Sequence, residues 1–400
     1  MSKETFTKRY RLPYTHDLPS EWNYVEIGKV FKESNENNRP DLPLYSVTRT
    51  KGIIPQEENN KRDTSSSDKS KYKVIHPGDI VYNTMRMWQG VVALSNVEGI
   101  VSPAYTVCTP TEDVYGKYAE YLFKTHPMIK LFHRFSQGLV DDTLSLKYEN
   151  FKKIFMPLPP FSEQRKIAAI LSTVDEAIEK TEAIIEQTEK VKKGLMQQLL
   201  TKGIGHTKFK KTEIGEIPEE WEVRRLEEIC EIRYGKSPKG VKVEYSDYPI
   251  MGTSGHVGYA KEFLFSGPMI LVGRKGTIDK PIYIERDCWI IDTAYGLFAD
   301  QTKVSLKWLY YFLTSYDLAS LNEATGVPSL NRNSLYSIKV PLPSLNEQNK
   351  ISNILTSIEQ KIETEKEKLS IINEIKKGLM QSLLTGKVRV KVDEDEVVSS

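Results

Sequence analysis

The sequence predicts an α+β protein with two mixed α/β domains separated by a long antiparallel two-helix coiled coil, in a pseudo-two-fold internal repeat. Three observations indicate this fold. A segment near the middle of the chain recurs near its end, each copy carries a long apolar stripe at helical spacing, and short apolar runs bounded by Gly and Pro fill much of the remainder. With 400 residues, of which 39% are hydrophobic, the chain is long enough for more than one buried core.

The repeated segment covers residues 156–204 and 340–388. Aligned without a gap at a displacement of 184 residues, the two copies are identical at 20 of 49 positions. Each copy opens with Pro-Leu-Pro and a Glu-Gln pair, and each closes with Lys-Lys-Gly-Leu-Met-Gln. Identity at this level over an unbroken alignment predicts two copies of one structural unit.

A shorter repeat marks the start of each unit, where Pro19-Ser-Glu-Trp22 matches Pro218-Glu-Glu-Trp221. We predict that both tryptophans anchor a core. The displacement between these starts is longer than that between the helix segments, which places an insertion in the first unit. Its expected location is residues 56–73, whose Ser, Asn, Lys and Glu content is typical of an exposed loop.

Composition and periodicity divide the chain into five predicted segments. These are a first mixed domain over residues 1–157, a first helix over 158–204, a second mixed domain over 205–340, a second helix over 341–388 and a flexible acidic tail over 389–400.

Each helix segment is predicted to form one long helix, because Ile and Leu recur at steps of three and four. Ser162 and Asn346 occupy the positions expected of N-caps. A long helix with one narrow apolar stripe is not stable alone in water, so the two should pair, and the connectivity makes the pair antiparallel. Gly194 and Gly378 share one helical position where glycine costs about 1 kcal/mol relative to alanine, which favours a close backbone approach or a bend there.

The chemical motifs of an enzyme are missing from the sequence. There is no Gly-x-x-x-x-Gly-Lys-Ser/Thr loop, the six histidines form no i, i+4 pair, and the three cysteines lie far apart. Leu158-Pro-Pro-Phe161 resembles the Asp/Asn-Pro-Pro-Tyr/Phe loop of amino-methyltransferases, but leucine cannot accept the hydrogen bond which that chemistry needs. We therefore predict a non-catalytic chain that holds no metal and no cofactor.

The net charge of +2 neither requires nor excludes a nucleic-acid partner. No stretch approaches the ~18 apolar residues that a membrane helix requires. Together with the polar first residues and the scattered cysteines, this predicts a cytoplasmic protein that does not contact a membrane.

Two loops that follow strand-like runs are candidates for contact with DNA, and a basic cluster lies upstream of the second. Arginine can bond guanine through two donors, glutamine can read adenine, and lysine or threonine can hold phosphates. The alternative interpretation of these loops is a solvated turn. The candidate residues are Arg86, Trp88 and Gln89 in the first domain and Arg233, Lys236, Arg274, Lys275 and Thr277 in the second.

The arrangement closely resembles the specificity subunit of type I restriction-modification systems, usually called HsdS. The resemblance covers nearly the whole chain and rests on the doubled Pro-Leu-Pro-x-x-x-x-Glu-Gln-x-Lys-Ile helix starts, the doubled Lys-Lys-Gly-Leu-Met-Gln-x-Leu-Leu-Thr helix ends and the Pro-x-Glu-Trp motifs. It implies that each mixed domain is a target recognition domain that reads one half of a bipartite double-stranded DNA site. The helices would set the spacing between the two halves.

The resemblance also implies partner proteins. Two modification subunits would bind S-adenosylmethionine and methylate adenine, and restriction (motor nuclease) subunits would use ATP and magnesium, so these cofactors would reside on the partners. The candidate contacts for the modification subunits are apolar residues near the helix ends: Leu195, Met196, Leu199, Leu379, Met380 and Leu383.

Two other functions remain open from the sequence. One is the specificity subunit of a related bipartite type II system. The other is a coiled-coil scaffold whose terminal domains bind proteins instead of DNA, which the near-zero net charge would suit.

Overall fold

The computed structural model describes residues 18–59 and 68–391, and its internal contacts divide the chain into two compact units. Unit 1 comprises the residues up to Thr181 together with those from Lys368 onward, and unit 2 comprises Glu182–Glu367. Two long helices, α5 (Phe161–Lys202) and α9 (Leu345–Leu383), are each divided between the units near their midpoints. The mixed α+β class and the two long helices agree with the sequence prediction.

Unit 1 contains a four-stranded antiparallel sheet, three two-stranded pairs and short helices. The sheet has the order β2-β9-β6-β7, and the pairs are β1-β10, β3-β4 and β5-β8. The bounds are β1 Asn23–Glu26, α1 Ile27–Val30, β2 Phe31–Ser34, β3 Tyr45–Thr48, β4 Gly52–Pro55, β5 Lys73–Ile75, β6 Ile80–Asn83, β7 Val92–Leu94, β8 Gly99–Val101, β9 Tyr105–Pro110, α2 Gly116–Phe123, α3 His126–Phe135, α4 Tyr148–Phe151 and β10 Phe155–Leu158.

Unit 2 contains two four-stranded sheets, of order β14-β21-β18-β19 and β15-β17-β16-β20, and the pairs β11-β12 and β13-β22. The bounds are β11 Phe209–Thr212, β12 Gly215–Pro218, β13 Glu222–Arg225, α6 Leu226–Ile229, β14 Cys230–Tyr234, β15 Lys242–Val243, β16 Tyr248–Gly252, β17 Gly255–Ala260, β18 Met269–Gly273, β19 Ile282–Ile284, β20 Trp289–Ile290, β21 Ala294–Ala299, α7 Leu306–Ser315, α8 Arg332–Tyr336 and β22 Lys339–Leu342.

The repeat extends into the sheets, beyond the region of clear sequence identity. The order β2-β9-β6-β7 of unit 1 corresponds to β14-β21-β18-β19 of unit 2, and every pairing in both sheets is antiparallel. Strand β6 therefore corresponds to strand β18. The Arg86 and Arg274 loops follow these two strands, so they occupy equivalent places, as the sequence predicted.

Both tryptophans of the repeated Pro-x-Glu-Trp motif anchor a core, as predicted. Trp22 is 4% exposed and Trp221 is 1% exposed. The indole Nε1 of Trp22 donates to Glu163 Oε2 at 3.0 Å, and that of Trp221 donates to Glu347 Oε2 at 3.0 Å. These glutamates are the first residues of the repeated Glu-Gln pair. Their shared role is to accept the hydrogen bond from the buried indole.

The glutamine of the same pair fixes the start of each long helix. Gln164 accepts a hydrogen bond from the Tyr115 backbone N–H at 2.8 Å and donates to the carbonyls of Asp113 and Pro159. Gln348 makes the corresponding set with Ser305, Lys303 and Pro343. Both side chains are fully buried, and these contacts satisfy an amide that would otherwise be costly to bury.

The predicted N-caps lie inside the helices. Helix α5 begins at Phe161 and helix α9 at Leu345, so Ser162 and Asn346 belong to the first helical turn. The Pro-rich segment ahead of each helix has fixed φ values that suit a helix start, which moves the boundary toward the proline. In the second copy Ser344 takes the capping position, where its Oγ accepts from the Glu347 N–H at 3.4 Å.

Within each unit, one half of α5 contacts one half of α9 through the same network. In unit 1, Tyr121 donates to Asp175 at 2.6 Å and Lys376 forms an ion pair with that carboxylate. In unit 2, Tyr311 donates to Glu359 at 2.7 Å and Lys192 pairs with it at 2.7 Å. Burial raises the pKa of both phenols, so they stay protonated and keep donating throughout the neutral range.

Two features of the helix ends differ from the prediction. A Cβ added to Gly194 or Gly378 would meet nothing within 4 Å, so the described part of this chain makes no close approach at either glycine, and the alternative, a bend there, stays a prediction. The tail predicted to be flexible from residue 389 begins with a fixed residue, because the Arg389 guanidinium holds both oxygens of the buried Glu163 carboxylate at 2.9 Å. The acidic residues 393–396 lie outside the described residues.

Candidate nucleic-acid interface

A polar cleft of about 930 Å³ lies in unit 1 between the β3–β4 hairpin and the segment that follows β6. Arg86 and Gln89 line this cleft, as do Arg49, Asn83 and Tyr105. The turn that presents Arg86 and Gln89 is short and fixed, since Met87 is buried beneath it and Gly90 closes it with a positive φ of 79°.

The other candidate of this loop, Trp88, has a structural environment. Its indole Nε1 donates to the Met85 carbonyl at 3.0 Å, and its ring makes an edge contact with His133 at 5.6 Å. Trp88 does not line the cleft. The Arg86 guanidinium lies 3.9 Å from the exposed carboxylate of Asp142, a distance at which an exposed ion pair contributes little and leaves the guanidinium available.

Sequence reasoning missed three cleft residues. Tyr105 lines the cleft while its hydroxyl accepts from the Val47 N–H at 3.4 Å. Two sequence patterns point to Arg49 and Asn83: a basic residue in a Gly-ended hairpin turn and an amide at the end of a buried strand. In unit 2, Tyr295 follows Ala294 as Tyr105 follows Ala104 in unit 1, but Tyr295 is buried in the core.

The Arg274 loop of unit 2 is held in one conformation by its own backbone. A Cβ on Gly273 would lie 1.9 Å from the Thr277 carbonyl oxygen, so only glycine fits at the start of this turn. The backbone N–H groups of Arg274 and Lys275 both donate to the Thr293 carbonyl, at 2.8 and 3.0 Å. The side chain of Lys275 is exposed, and Thr277 Oγ1 lies 3.2 Å from Ser254 Oγ at the tip of the β16–β17 hairpin.

Arg233 is separated from the Arg274 loop by the geometry of its strand. Successive side chains of a strand point to opposite faces, so Arg233 lies on the face opposite to Tyr234, whose ring is the one that Arg274 contacts. Arg233 pairs with Glu231 at 2.6 Å and lies over the Phe298 ring. The hydrogen bond from Arg233 lowers the pKa of the Glu231 carboxyl, so the two charges neutralise each other.

Lys236, the remaining candidate, combines a fixed backbone with an exposed side chain. Its carbonyl accepts from the Trp289 indole at 2.8 Å, and its N–H donates to the Ile290 carbonyl. The structure thus gathers Arg86 with Gln89, and Lys275 with Arg274 and Thr277, while Trp88 and Arg233 lie apart from these two groups.

The described residues offer no centre for metal or thiol chemistry. They contain no group of three or more His, Cys, Asp or Glu side chains placed to hold a metal ion. Burial raises the pKa of Cys230 and of Cys288 to about 12, so neither thiol is a nucleophile at neutral pH. Across residues 18–59 and 68–391, no helix is both long enough and apolar enough to cross a membrane.

Each unit also carries a groove beside the end of a long helix, which we call the helix-end groove. In unit 1 it is about 600 Å³ and includes Lys376, Lys377, Met380, Gln381 and Leu384. In unit 2 it is about 910 Å³ and includes the residues at the same repeat positions: Lys192, Lys193, Met196, Gln197 and Leu200.

The six apolar candidates for partner contact are divided by this geometry. Met196 and Met380 line the helix-end grooves. Leu199 and Leu383 are buried in the cores of their units and are not available to a partner, because their side chains already pack against the mixed domains. The last two, Leu195 and Leu379, are half-buried against the same cores.

Comparisons with known proteins match most of this chain to one family. A family model described as the type I restriction modification DNA specificity domain matches residues 19–190 and 218–377, and each match runs from a Pro-x-Glu-Trp motif into one of the long helices. The MjaVIII type I restriction enzyme specificity subunit of Methanocaldococcus jannaschii is 35% identical over 275 residues, which span 60% of this chain and 64% of that protein. The putative MjaX specificity subunit of the same organism is 27% identical over 94% of this chain and 95% of that protein.

Solved structures share the fold. The S subunit of a type I restriction-modification system from M. genitalium superposes with a TM-score of 0.62 at 18% identity, covering 93% of this chain and 98% of that one. Another matching chain comes from a structure described as the basis of complex assembly and conformational transition of the type I R-M system. It gives a TM-score of 0.56 at 18% identity and covers 94% of this chain and 100% of that one.

Proposed function

The chain belongs to the family of type I restriction-modification specificity proteins, and from that premise we propose that it selects the DNA site for a multisubunit methyltransferase and nuclease. Each mixed domain reads one half of a bipartite double-stranded target. The observation that carries this proposal is the duplicated sheet, which presents an arginine loop after equivalent strands, β6 and β18, in two domains of otherwise different sequence. A shared framework with different reading loops suits two different half-sites.

The proposed role of the long helices is to set the distance between the half-sites as an antiparallel coiled coil. The ion pairs of unit 2 support this role, because Glu189 pairs with Lys366 and Lys192 with Glu359, so the numbering rises along one helix as it falls along the other. Within unit 1, the Asp175–Lys376 pair fits the same register. The 42 residues of α5 correspond to about 63 Å of helix at ~1.5 Å per residue.

We assign the chemistry to partner subunits. The chain would recruit two modification subunits, which carry S-adenosylmethionine, and restriction subunits, which use ATP and magnesium. Two matched helix-end grooves support binding of two copies of one partner, since a repeated surface offers the same contacts twice. Val191 and Ile375 occupy the same repeat position, next to the groove residues in the sequence. Their apolar side chains are 49% and 51% exposed.

The proposal predicts a bipartite methylation pattern. A restriction-negative bacterium that expresses this chain together with its modification subunit should carry methylated adenines in a motif of two specified halves with unspecified bases between them. Single-molecule sequencing of the genomic DNA measures this pattern. The chain expressed without the modification subunit should add no methylation, and a continuous motif from an intact complex would reject the bipartite reading.

Partner recruitment gives a second expectation. The double variant Val191→Asp with Ile375→Asp should lose copurification of the modification subunit, because a charge at each site must be desolvated when the apolar surface is covered. Ile214→Asp in the β11–β12 turn is the matched control, since this isoleucine is 36% exposed and lies outside the long helices. Copurification that is equal for the double variant and the control would place the partner elsewhere.

A further inference from the structure

Two arginines of unit 2 share one aromatic ring. The guanidinium carbon of Arg332, at the start of α8, lies 4.9 Å from the centre of the Tyr234 ring, and that of Arg274 lies 5.7 Å from the same centre. Arg332 also lies 5.9 Å from the Tyr336 ring. Arg332 and Arg274 lie 58 residues apart in the sequence, and no motif or repeat connects them.

Neither arginine of this pair is neutralised within the described residues. Among residues 18–59 and 68–391, no carboxylate lies within 4.0 Å of either guanidinium, and the buried Nε of each has no hydrogen-bond acceptor. Three other arginines of this unit behave differently, since Arg224 and Arg225 each pair with a glutamate and Arg233 pairs with Glu231. Two adjacent guanidinium charges without a counter-ion destabilise the folded state. Their presence beside the candidate loop therefore indicates a ligand that supplies the missing acceptors.

The backbone holds the two arginines in a fixed relation. The Leu330 N–H donates to the Arg274 carbonyl at 2.9 Å, and the Gly276 N–H donates to the Pro328 carbonyl at 2.9 Å. Tyr295 donates from its hydroxyl to the Leu330 carbonyl at 3.0 Å. The segment that carries Arg332 is therefore bonded along the Arg274 loop, and a ligand would meet both guanidinium groups already in place.

The pair is a property of unit 2 alone. The repeat position of Arg332 in unit 1 is Tyr148, which is half-buried against the core and whose hydroxyl donates to the Phe31 carbonyl at 2.8 Å. Because unit 1 has a packed tyrosine at the position of Arg332, the arginine pair is not part of the framework that the two units share. It therefore belongs to the recognition of one half-site.

We infer that Arg332 and Arg274, stacked on Tyr234, form a paired-guanidinium site that contacts an acceptor-rich group of the DNA half-site read by unit 2. Arg332 is thereby a DNA-contacting residue beyond those of the Arg274 loop. A planar guanidinium supported by an aromatic face presents its outer N–H groups in a fork, the geometry that matches two acceptors of a guanine edge or a phosphate. This inference rests on the proposed function.

The test compares Arg332→Met with Arg224→Met in the complex with the modification subunit. Both changes remove one guanidinium from unit 2, but Arg224 is neutralised by Glu222 and Glu228 and is not a candidate for DNA contact. DNA duplexes carrying the motif of the wild-type chain are titrated at several salt concentrations. Arg332→Met should weaken binding by roughly 5- to 150-fold, whereas Arg224→Met should stay within about twofold.

The methylation motif identifies which DNA group is contacted. Relaxation at one base of the unit 2 half-site indicates a guanine edge, while an unchanged motif with a salt dependence reduced by about one charge indicates a phosphate. Arg332→Lys is a second variant that keeps the charge and loses the fork, and it should restore binding to a phosphate better than to a base. Affinity and motif equal to wild type in both Arg332 variants would overturn the inference, and a wild-type complex without a bipartite motif would instead overturn the proposed function.

Discussion

Replacing Trp221 with alanine should lower the free energy of unfolding of unit 2 by about 3–5 kcal/mol, the cost of emptying a buried indole site in a packed core. Trp221 is 1% exposed, and its indole donates to Glu347, which also accepts from the Ile204 N–H and contacts His206 Nε2 at 2.9 Å. The substitution therefore removes buried side-chain volume. It also removes one hydrogen-bond donor from the Glu347 carboxylate, which links the start of α9 to the segment that follows α5. Urea unfolding followed by circular dichroism at 222 nm measures the loss.

Two further variants separate the causes of this effect. Trp221→Phe keeps an aromatic ring but loses the N–H, so it should cost less than the alanine variant. Trp88→Ala makes the same chemical change in a half-buried loop and should cost the least, because its ring lies outside the core. An alanine variant at 221 that unfolds at the wild-type urea concentration would contradict the assignment of Trp221 as a core anchor.

Lengthening both helices together should lengthen the unread spacer of the DNA target and leave both half-sites unchanged. Insertion of three heptads between Thr181 and Glu182 and of three heptads between Glu367 and Lys368 keeps the pairs Lys192–Glu359 and Asp175–Lys376 matched, since both insertions fall between the units. Twenty-one residues add about 31 Å of helix, close to one turn of B-DNA at ~34–36 Å. The expected increase is therefore up to about nine base pairs, which single-molecule sequencing of methylated DNA would reveal.

The unmatched insertion is the control for this experiment. Three heptads in α5 alone displace one helix against the other by the whole inserted length, so the pairs of one unit must break and methylation should be lost. Full activity with an unchanged spacer in the matched variant would refute the role of the helices as a ruler.

Sequence reasoning found those features that depend on local pattern. The period of Ile and Leu predicted the helices, the shared displacement predicted the repeat, and the matched tryptophans predicted the core anchors. Each of these features depends on residues that are close together in the chain, or it follows from comparing the chain with itself. The position of the Arg274 loop after a buried strand was predictable for the same reason.

Features that depend on the pairing of distant segments were not predictable. Whether Arg233 faces Arg274 or Glu231 is decided by the alternation of β14 and its register with β21, which one sequence does not specify. Arg332 joins Arg274 only because the segment around Leu330 bonds to the Arg274 loop. Leu199 and Leu383 belong to the apolar stripe by periodicity, and only the packed structure shows that this side of the stripe meets a domain core.

The Arg389–Glu163 contact has a topological consequence. In unit 2, the chain continues covalently from the end of α5 to β13, and His206 in this linker lies within hydrogen-bond distance of Glu347. In unit 1, the corresponding junction is made without a covalent link, because Gly386 packs against Pro19 and Arg389 bonds both Glu21 and Glu163. Within unit 1, the segment after α9 thus meets the start of the first mixed domain at a non-covalent junction, which corresponds to the covalent link between α5 and β13 in unit 2.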